Sequence, residues 1–157
     1  MTVARAEDEA AIDAVLDAIY RAWEANDADA IVAHYTEDAT AVLPGSLRDG
    51  REAIRAAMAQ GFAGPLKGSS TWNRRLGIRF LGDCDCDCDC DGDCDGDSGS
   101  DGDSDSNCAA IVVAESGILF AGESEVPEAR RVNATWVLEK KNGSWRVAGY
   151  HNSARRS

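Results

Sequence analysis

The segment from Ala134 to Ser153 constrains the fold of this chain more than any other part, because it predicts a β-hairpin with a defined register. Two stretches of alternating polar and apolar residues flank Asn142-Gly143, and Asn-Gly is a preferred pair for two-residue hairpin turns. With these residues as the turn, Lys141 pairs with Ser144, and every residue further out has a defined partner. The hairpin therefore predicts which side chains share a face of the sheet.

The predicted register gives an apolar inner face that contains one ionisable ring. It places Trp136 opposite Gly149 and Ala134 opposite His151. The predicted inner face consists of Ala134, Trp136, Leu138, Trp145, Val147, Gly149 and His151. The predicted outer face includes Thr135, Val137, Ala148 and Tyr150. A desolvated imidazole is held neutral and can donate or accept a proton, so we predict His151 as the catalytic residue. The alternative is a structural histidine, hydrogen-bonded at the end of a strand.

An acidic tract at residues 82–107 accounts for the unusual charge of the chain. It contains eleven Asp, five Cys, five Gly, four Ser and one Asn. The whole chain has 28 acidic and 16 basic residues, and without the eleven aspartates of the tract it has 17 acidic and 16 basic residues. Neither part has the basic surface of a protein that binds nucleic acid or anionic membranes. No apolar run reaches the length of about 20 residues that a membrane span requires.

The composition of the tract predicts a low-complexity insertion in a loop between two strands. Its like charges repel one another, and it has no aliphatic or aromatic residue to build a core. It matches the first half of an EF-hand loop, but Ser98 stands where the bidentate Glu is required. Loose binding of cations is the alternative. Five of the six cysteines lie in the tract, which is not the spacing of a disulfide framework, so we predict a cytoplasmic location.

The remaining residues predict one α+β domain, so that the chain 1–157 is a single domain with an insertion. Apolar residues recur at helical spacing over 8–26 and 28–36. Asp49-Gly50-Arg51-Glu52 resembles a capping box that opens a third helix. Strands are predicted at Ala39–Leu43, Ser69–Leu81 and Ala109–Leu119, followed by the hairpin. Helices that cover one face of a curved, mostly antiparallel sheet leave a hollow of the kind that binds small molecules.

Several short motifs, in order along the chain, resemble one known family. They are Ala22-Trp23, Glu37-Asp38-Ala39-Thr40, Leu43-Pro44-Gly45, Gly50-Arg51-Glu52-Ala53-Ile54, Gly64-Pro65, Val126-Pro127, Ala134-Thr135-Trp136-Val137-Leu138 and His151-Asn152-Ser153. On these motifs, residues 11–153 resemble the cone-shaped family of nuclear transport factor two, ketosteroid isomerase and the SnoaL-like polyketide proteins. The closest likeness is to the SgcJ/EcaC-type branch. The resemblance implies a cone-shaped sheet with three helices on its concave side, a ligand cavity, and homodimers formed through the outer sheet face.

The resemblance does not supply the ketosteroid isomerase mechanism. In those enzymes an aspartate base immediately precedes the proline that ends the first strand, and here that position is Leu43. Their oxyanion-hole tyrosine aligns with Ile19, next to Tyr20. No glycine-rich nucleotide-binding loop follows a strand, so we expect no cofactor.

The predicted site combines aromatic walls with one polar group. Tyr20, Trp72 and Trp136 form the walls, His151 is the polar group, and Glu115 or Glu123 is the carboxylate that would fix its tautomer. We predict no metal site, because the two histidines lie far apart without convergent carboxylates.

Three functions stay open at this point. The first is binding of a small apolar metabolite, for example a polyketide-derived one, by an acid–base or cyclase-type enzyme or a carrier in a secondary-metabolite pathway. The second is a homodimeric association module that uses the outer sheet face. The third is an acidic metal buffer based on the tract.

Overall fold

A computed structural model of the chain describes residues 3–82 and 108–155, with side chains from residue 5 onwards. The acidic tract, from residue 83 onwards, lies outside the described residues. The elements are α1 Val3–Glu24, α2 Ala28–Val32, β1 Tyr35–Leu43, β2 Ser46–Asp49, α3 Arg51–Ala63, β3 Ser70–Leu81, β4 Cys108–Leu119, a short 3-10 turn Glu128–Arg130, β5 Val132–Lys141 and β6 Ser144–Ala154.

The six strands form one curved, open sheet in the order β2-β1-β6-β5-β4-β3. All neighbouring strands are antiparallel except β1 and β6, which run parallel. The three helices cover the concave face, and the core of the domain lies between them and the sheet. The predicted α+β fold with a cone-shaped, mostly antiparallel sheet is therefore confirmed.

The break between the predicted helices 8–26 and 28–36 is formed by Asn26 and Asp27. Asn26 adopts a positive φ of 53° after α1, and the Asp27 side chain accepts a hydrogen bond of 3.0 Å from the Ala30 amide. This capping satisfies one of the free amides at the start of α2. The second helix ends at Val32 rather than near residue 36, because Tyr35 already begins β1.

The predicted capping box of the third helix is wrong. Asp49 belongs to β2, which pairs with β1 beyond a turn at Gly45. The N-cap is Gly50, at a φ of 97°, and no side chain of the described residues caps the helix. The Glu52 carboxylate instead accepts hydrogen bonds from the Arg55 guanidinium within the helix.

The hairpin follows the predicted register only near its turn. Leu138 pairs with Val147 as expected, but the next pair along the ladder is Val137 with Gly149. Ala148 is the extra residue of a β-bulge. Since side chains in a strand alternate with a period of two, one extra residue moves every residue beyond it to the opposite face.

The bulge reverses the predicted orientation of the end of β6. Trp136 pairs with Tyr150, and Thr135 pairs with His151. Tyr150 and Asn152 therefore face the interior, and His151 is exposed on the outer face. The predictions of His151 on the inner face and Tyr150 on the outer face are both wrong for this reason.

A buried carboxylate connects α1 to the sheet at the end of the cone near the hairpin turn. The Asp8 carboxylate of α1 is 5% exposed. It accepts hydrogen bonds of 2.8 Å from Lys140 Nζ and 2.9 Å from Trp145 Nε1. Cys108, at the start of β4, is disulfide-bonded, although the spacing of the cysteines did not predict a disulfide framework.

Candidate functional site: a cavity between the helices and the sheet

A cavity of about 380 Å³ lies between the helices and the inner face of the sheet. It falls in the size range of pockets that bind small molecules. Its walls are mostly apolar or aromatic and include Ile19, Ile31, Ile54, Met58, Leu66 and Ile118. The polar and charged groups among these walls determine what the cavity can bind.

One row of paired residues crosses the sheet on its inner face and places several of these groups side by side. From β2 to β5 the row runs Arg48, Ala41, Tyr150 and Trp136. All four residues line the cavity. Strands lie about 4.8 Å apart, so the backbones of Arg48 and Tyr150 are roughly 10 Å apart. Only the methyl group of Ala41 stands between them, which leaves space for a ligand.

An aromatic cluster forms the centre of the wall. The Trp136 and Tyr150 rings lie 4.4 Å apart between centroids, and the Tyr20 ring meets Trp136 edge-on at 6.2 Å. Asn152 Nδ2 donates a hydrogen bond of 3.1 Å to the Tyr150 hydroxyl. These contacts fix two flat surfaces and a polar edge inside the cavity.

Two buried polar atoms of the cavity wall have no hydrogen-bond partner among the described residues. They are Trp136 Nε1, a donor, and Asn152 Oδ1, an acceptor. An unpaired buried group of this kind costs about 1–3 kcal/mol. If the Asn152 amide is turned over, Nδ2 becomes the unpaired atom, so the same number of groups stays unsatisfied. A polar ligand group would relieve this cost.

Burial raises the pKa of all three tyrosine hydroxyls of the cavity above the usual value, because the phenolate would lose its hydration. For Tyr20, the charges of Tyr150 and Asp17 add to the rise. The Trp136 indole N–H is close enough to act against it, without the geometry of a formed hydrogen bond. Tyr20, Tyr35 and Tyr150 therefore stay protonated at neutral pH and can donate hydrogen bonds.

Arg48 brings a cation into the cavity from β2. Its Nη1 lies 3.6 Å from the Met58 sulfur, which is a weak acceptor. Burial lowers the pKa of the guanidinium, and the neighbouring Tyr35 acts in the opposite direction. An arginine nevertheless keeps its charge at neutral pH.

The other two arginines of the wall are already paired. Arg130 binds the Glu123 carboxylate and the Ile118 carbonyl oxygen. Arg131 lies 3.3 Å from the Glu128 carboxylate. The described residues that line the cavity include no Asp, Glu or His, and among the described parts of the chain no group of such side chains is arranged to hold a metal.

The five predicted site residues do not come together. Tyr20 and Trp136 line the cavity as predicted. Trp72 does not, because it alternates along β3 with the cavity-facing Thr71 and Asn73. Its ring lies instead 4.9 Å from the Arg131 guanidinium carbon.

Glu115 and His151 lie on the outer face, so the predicted histidine–carboxylate pair is not in the cavity. Glu115 is 8% exposed because Arg74 and Arg155 cover it, at 2.9 and 3.5 Å. His151 pairs across the sheet with Val42 and Thr135. Both placements contradict the predicted pocket.

The sequence analysis did not predict several polar residues of the cavity wall, which are Tyr35, Arg48, Tyr150, Asn152, Thr71, Asn73 and Ser116. The turn at Pro44-Gly45 could have revealed β2, since Ser46–Asp49 is long enough to pair back on β1. Nothing in the alternation of β6 marks Ala148 as a bulge, so the sequence pattern alone gave no signal for Tyr150 and Asn152.

Comparison with known proteins places this geometry in a known fold. Residues 16–76 match the SnoaL-like domain family. A domain of unknown function with a cystatin-like fold from Nostoc punctiforme superposes with a TM-score of 0.72 at 19% identity, over 100% of this chain and 81% of that one. An NTF-2 like protein of unknown function from Shewanella oneidensis gives 0.63 at 18% identity, over 93% and 98%. A candidate scytalone dehydratase from Novosphingobium aromaticivorans gives 0.63 at 15% identity, over 99% and 89%.

Comparison with curated protein sequences found no match. None of the helices in the described part of the chain combines the length and apolarity that crossing a membrane requires. The SgcJ/EcaC-type branch stays a prediction. The chain has the cystatin-like, NTF2-like cone fold, and its residues 16–76 are similar to the SnoaL-like domain family.

Proposed function

We propose that the protein binds a small, mostly apolar metabolite in the cavity between its helices and its sheet. The observation that carries this proposal is an apolar cavity of about 380 Å³ whose wall contains two buried polar atoms without partners among the described residues, Trp136 Nε1 and Asn152 Oδ1. A flat, oxygen-bearing ring system, such as a polyketide-derived aromatic, would stack on Trp136 and satisfy these atoms. Hydrophobic burial would supply most of its affinity.

The chemistry of the wall favours holding an oxygenated molecule over removing a proton from it. The described lining offers neutral phenols and guanidinium cations, but no carboxylate or imidazole to act as a base. The donors would stabilise negative charge on a carbonyl oxygen of the ligand, as a cyclisation or enolisation step requires. Without such a step, the protein acts as a carrier that shields a reactive intermediate. A cytoplasmic location stays a prediction.

Tryptophan fluorescence with 2-acetonaphthone, a neutral aromatic ketone, tests the proposal. Ala41→Phe should fill the cavity beside Tyr150 and weaken binding at least tenfold. The matched control is Thr135→Phe, which adds the same ring on the outer face. Equal binding by the two variants would place the ketone outside the cavity and contradict the proposal.

A second candidate function, homodimeric association, rests on the outer face of the sheet. Val42, Leu47, Val113 and Val137 are between 36 and 67% exposed there. Such a cluster of exposed apolar side chains is typical of an interaction surface. Tyr150 no longer belongs to this surface, since it lines the cavity.

Light scattering separates association from ligand binding. Val137→Lys should convert a dimer to a monomer if the outer face associates, and 2-acetonaphthone binding should persist in that monomer. A wild-type monomer at micromolar concentration contradicts the association module.

A further inference from the structure

One cation of the cavity wall has no anionic partner among the described residues. Arg130 and Arg131 each face a carboxylate, whereas the only hydrogen bond of the Arg48 guanidinium within the described residues is to the Met58 sulfur. A guanidinium has five N–H donors, and a thioether sulfur is a weak acceptor for one of them. Arg48 is also half-buried, so water is a restricted source of acceptors.

A second donor stands next to this cation. The Tyr35 hydroxyl interacts electrostatically with the Arg48 guanidinium, and Tyr35 is 5% exposed. The phenol stays protonated for the reason given above, and both residues line the cavity. A charged donor and a neutral donor thus line the same apolar hollow and lie near enough to interact electrostatically.

We propose that the cavity selects a molecule that carries a carboxylate on an apolar, flat body. The carboxylate would accept hydrogen bonds from the Arg48 guanidinium and the Tyr35 hydroxyl, and the body would lie past Ala41 against Tyr150 and Trp136. This inference rests on the proposed function, because it names the chemical class of the same ligand.

The charge of the wall favours a carboxylate over a phosphate or a neutral ligand. Arg48 supplies a single unmatched positive charge, which balances one carboxylate but not a phosphate dianion. A planar guanidinium also matches a carboxylate with two parallel hydrogen bonds. A neutral ligand would leave the cation desolvated without compensation when it displaces water from the cavity.

Two probes of nearly the same shape test the inference: 2-naphthoate and 2-naphthamide, titrated at pH 7 with tryptophan fluorescence as the readout. Wild-type protein should bind the acid roughly ten- to a hundred-fold more tightly than the amide. This is the usual contribution of a charge-assisted hydrogen bond to affinity. Arg48→Met should abolish this preference while keeping affinity for the amide. Arg48→Lys should retain part of it, because the charge is kept.

Arg79→Met is the matched control, since Arg79 is an exposed cation on the outer face of β3. It should leave the preference for the acid unchanged. Preference for the acid that survives Arg48→Met would overturn the assignment to Arg48. Equal wild-type affinities for acid and amide, both weakened by Ala41→Phe, would overturn the carboxylate but leave the proposed function standing. Failure of both probes to bind, or binding that Ala41→Phe leaves unchanged, would overturn both. The wild-type comparison needs no variant, so it holds even if Arg48→Met does not fold.

Discussion

Replacing Asn152 by Leu should stabilise the free protein while weakening ligand binding. Asn152 Oδ1 is buried without a partner among the described residues, so removing it should recover about 1–3 kcal/mol of desolvation cost. The change also removes the hydrogen bond from Nδ2 to the Tyr150 hydroxyl, which costs about 0.5–1.5 kcal/mol. The balance is a gain of about 1 kcal/mol in the free energy of unfolding.

Urea denaturation without ligand measures this gain, and a thermal melt should show a rise of roughly 2–4 °C for a domain of this size. Asn133→Leu is the matched control, because Asn133 lies exposed on the neighbouring strand. This substitution makes the same change in strand propensity. Its effect should stay within about 0.5 kcal/mol. Binding of 2-acetonaphthone by Asn152→Leu should fall severalfold.

A loss of 1 kcal/mol or more in the free energy of unfolding of Asn152→Leu, relative to Asn133→Leu, would contradict this prediction. It would mean that the Asn152 side chain is fully hydrogen-bonded in the free protein and stabilises the fold. A gain in stability with unchanged ligand binding would show that the ligand binds in the cavity without contacting the Asn152 side chain.

Three further outcomes follow from the contacts of the described residues. Asp8→Ala should lower the free energy of unfolding by about 3 kcal/mol, because it leaves the Trp145 N–H and the Lys140 cation without their partner. Urea denaturation measures this loss. A loss under 1 kcal/mol would contradict a stabilising role of the Asp8 carboxylate. Because the folded pKa of the cavity tyrosines is raised, their contribution to stability is full below the unfolded pKa of about 10 and is lost as pH rises above it. Denaturation at pH 8 to 11 should show this fall, with a smaller slope in Tyr150→Phe. His151→Ala should leave 2-acetonaphthone affinity within twofold of wild type, and a tenfold loss would contradict its outer placement.

The fold could be predicted from the sequence because its signals are local. Asn142-Gly143 fixed the hairpin turn, Asp27 capped the second helix, and the apolar spacing of Ile54, Met58 and Phe62 identified the buried face of the third. Each signal depends on neighbours within a few residues, where propensity and periodicity act directly.

The site could be predicted only in part because it depends on one bulge and one short strand. The single extra residue Ala148 exchanges His151 for Tyr150 and Asn152 on the inner face. No pattern of alternation reveals such an insertion, since both registers bury some apolar side chains. Arg48 reaches the cavity only because Ser46–Asp49 pairs back on β1. A charged residue in a four-residue strand gives no sign that it faces inwards.

Native mass spectrometry of the protein isolated from its own host is the decisive test of the claim that this cavity holds a small molecule. The expected result is a retained species that disappears on mild activation and is missing from Ala41→Phe, while Thr135→Phe retains it. A wild-type mass equal to that of the bare chain, together with no binding of 2-acetonaphthone, would contradict the claim.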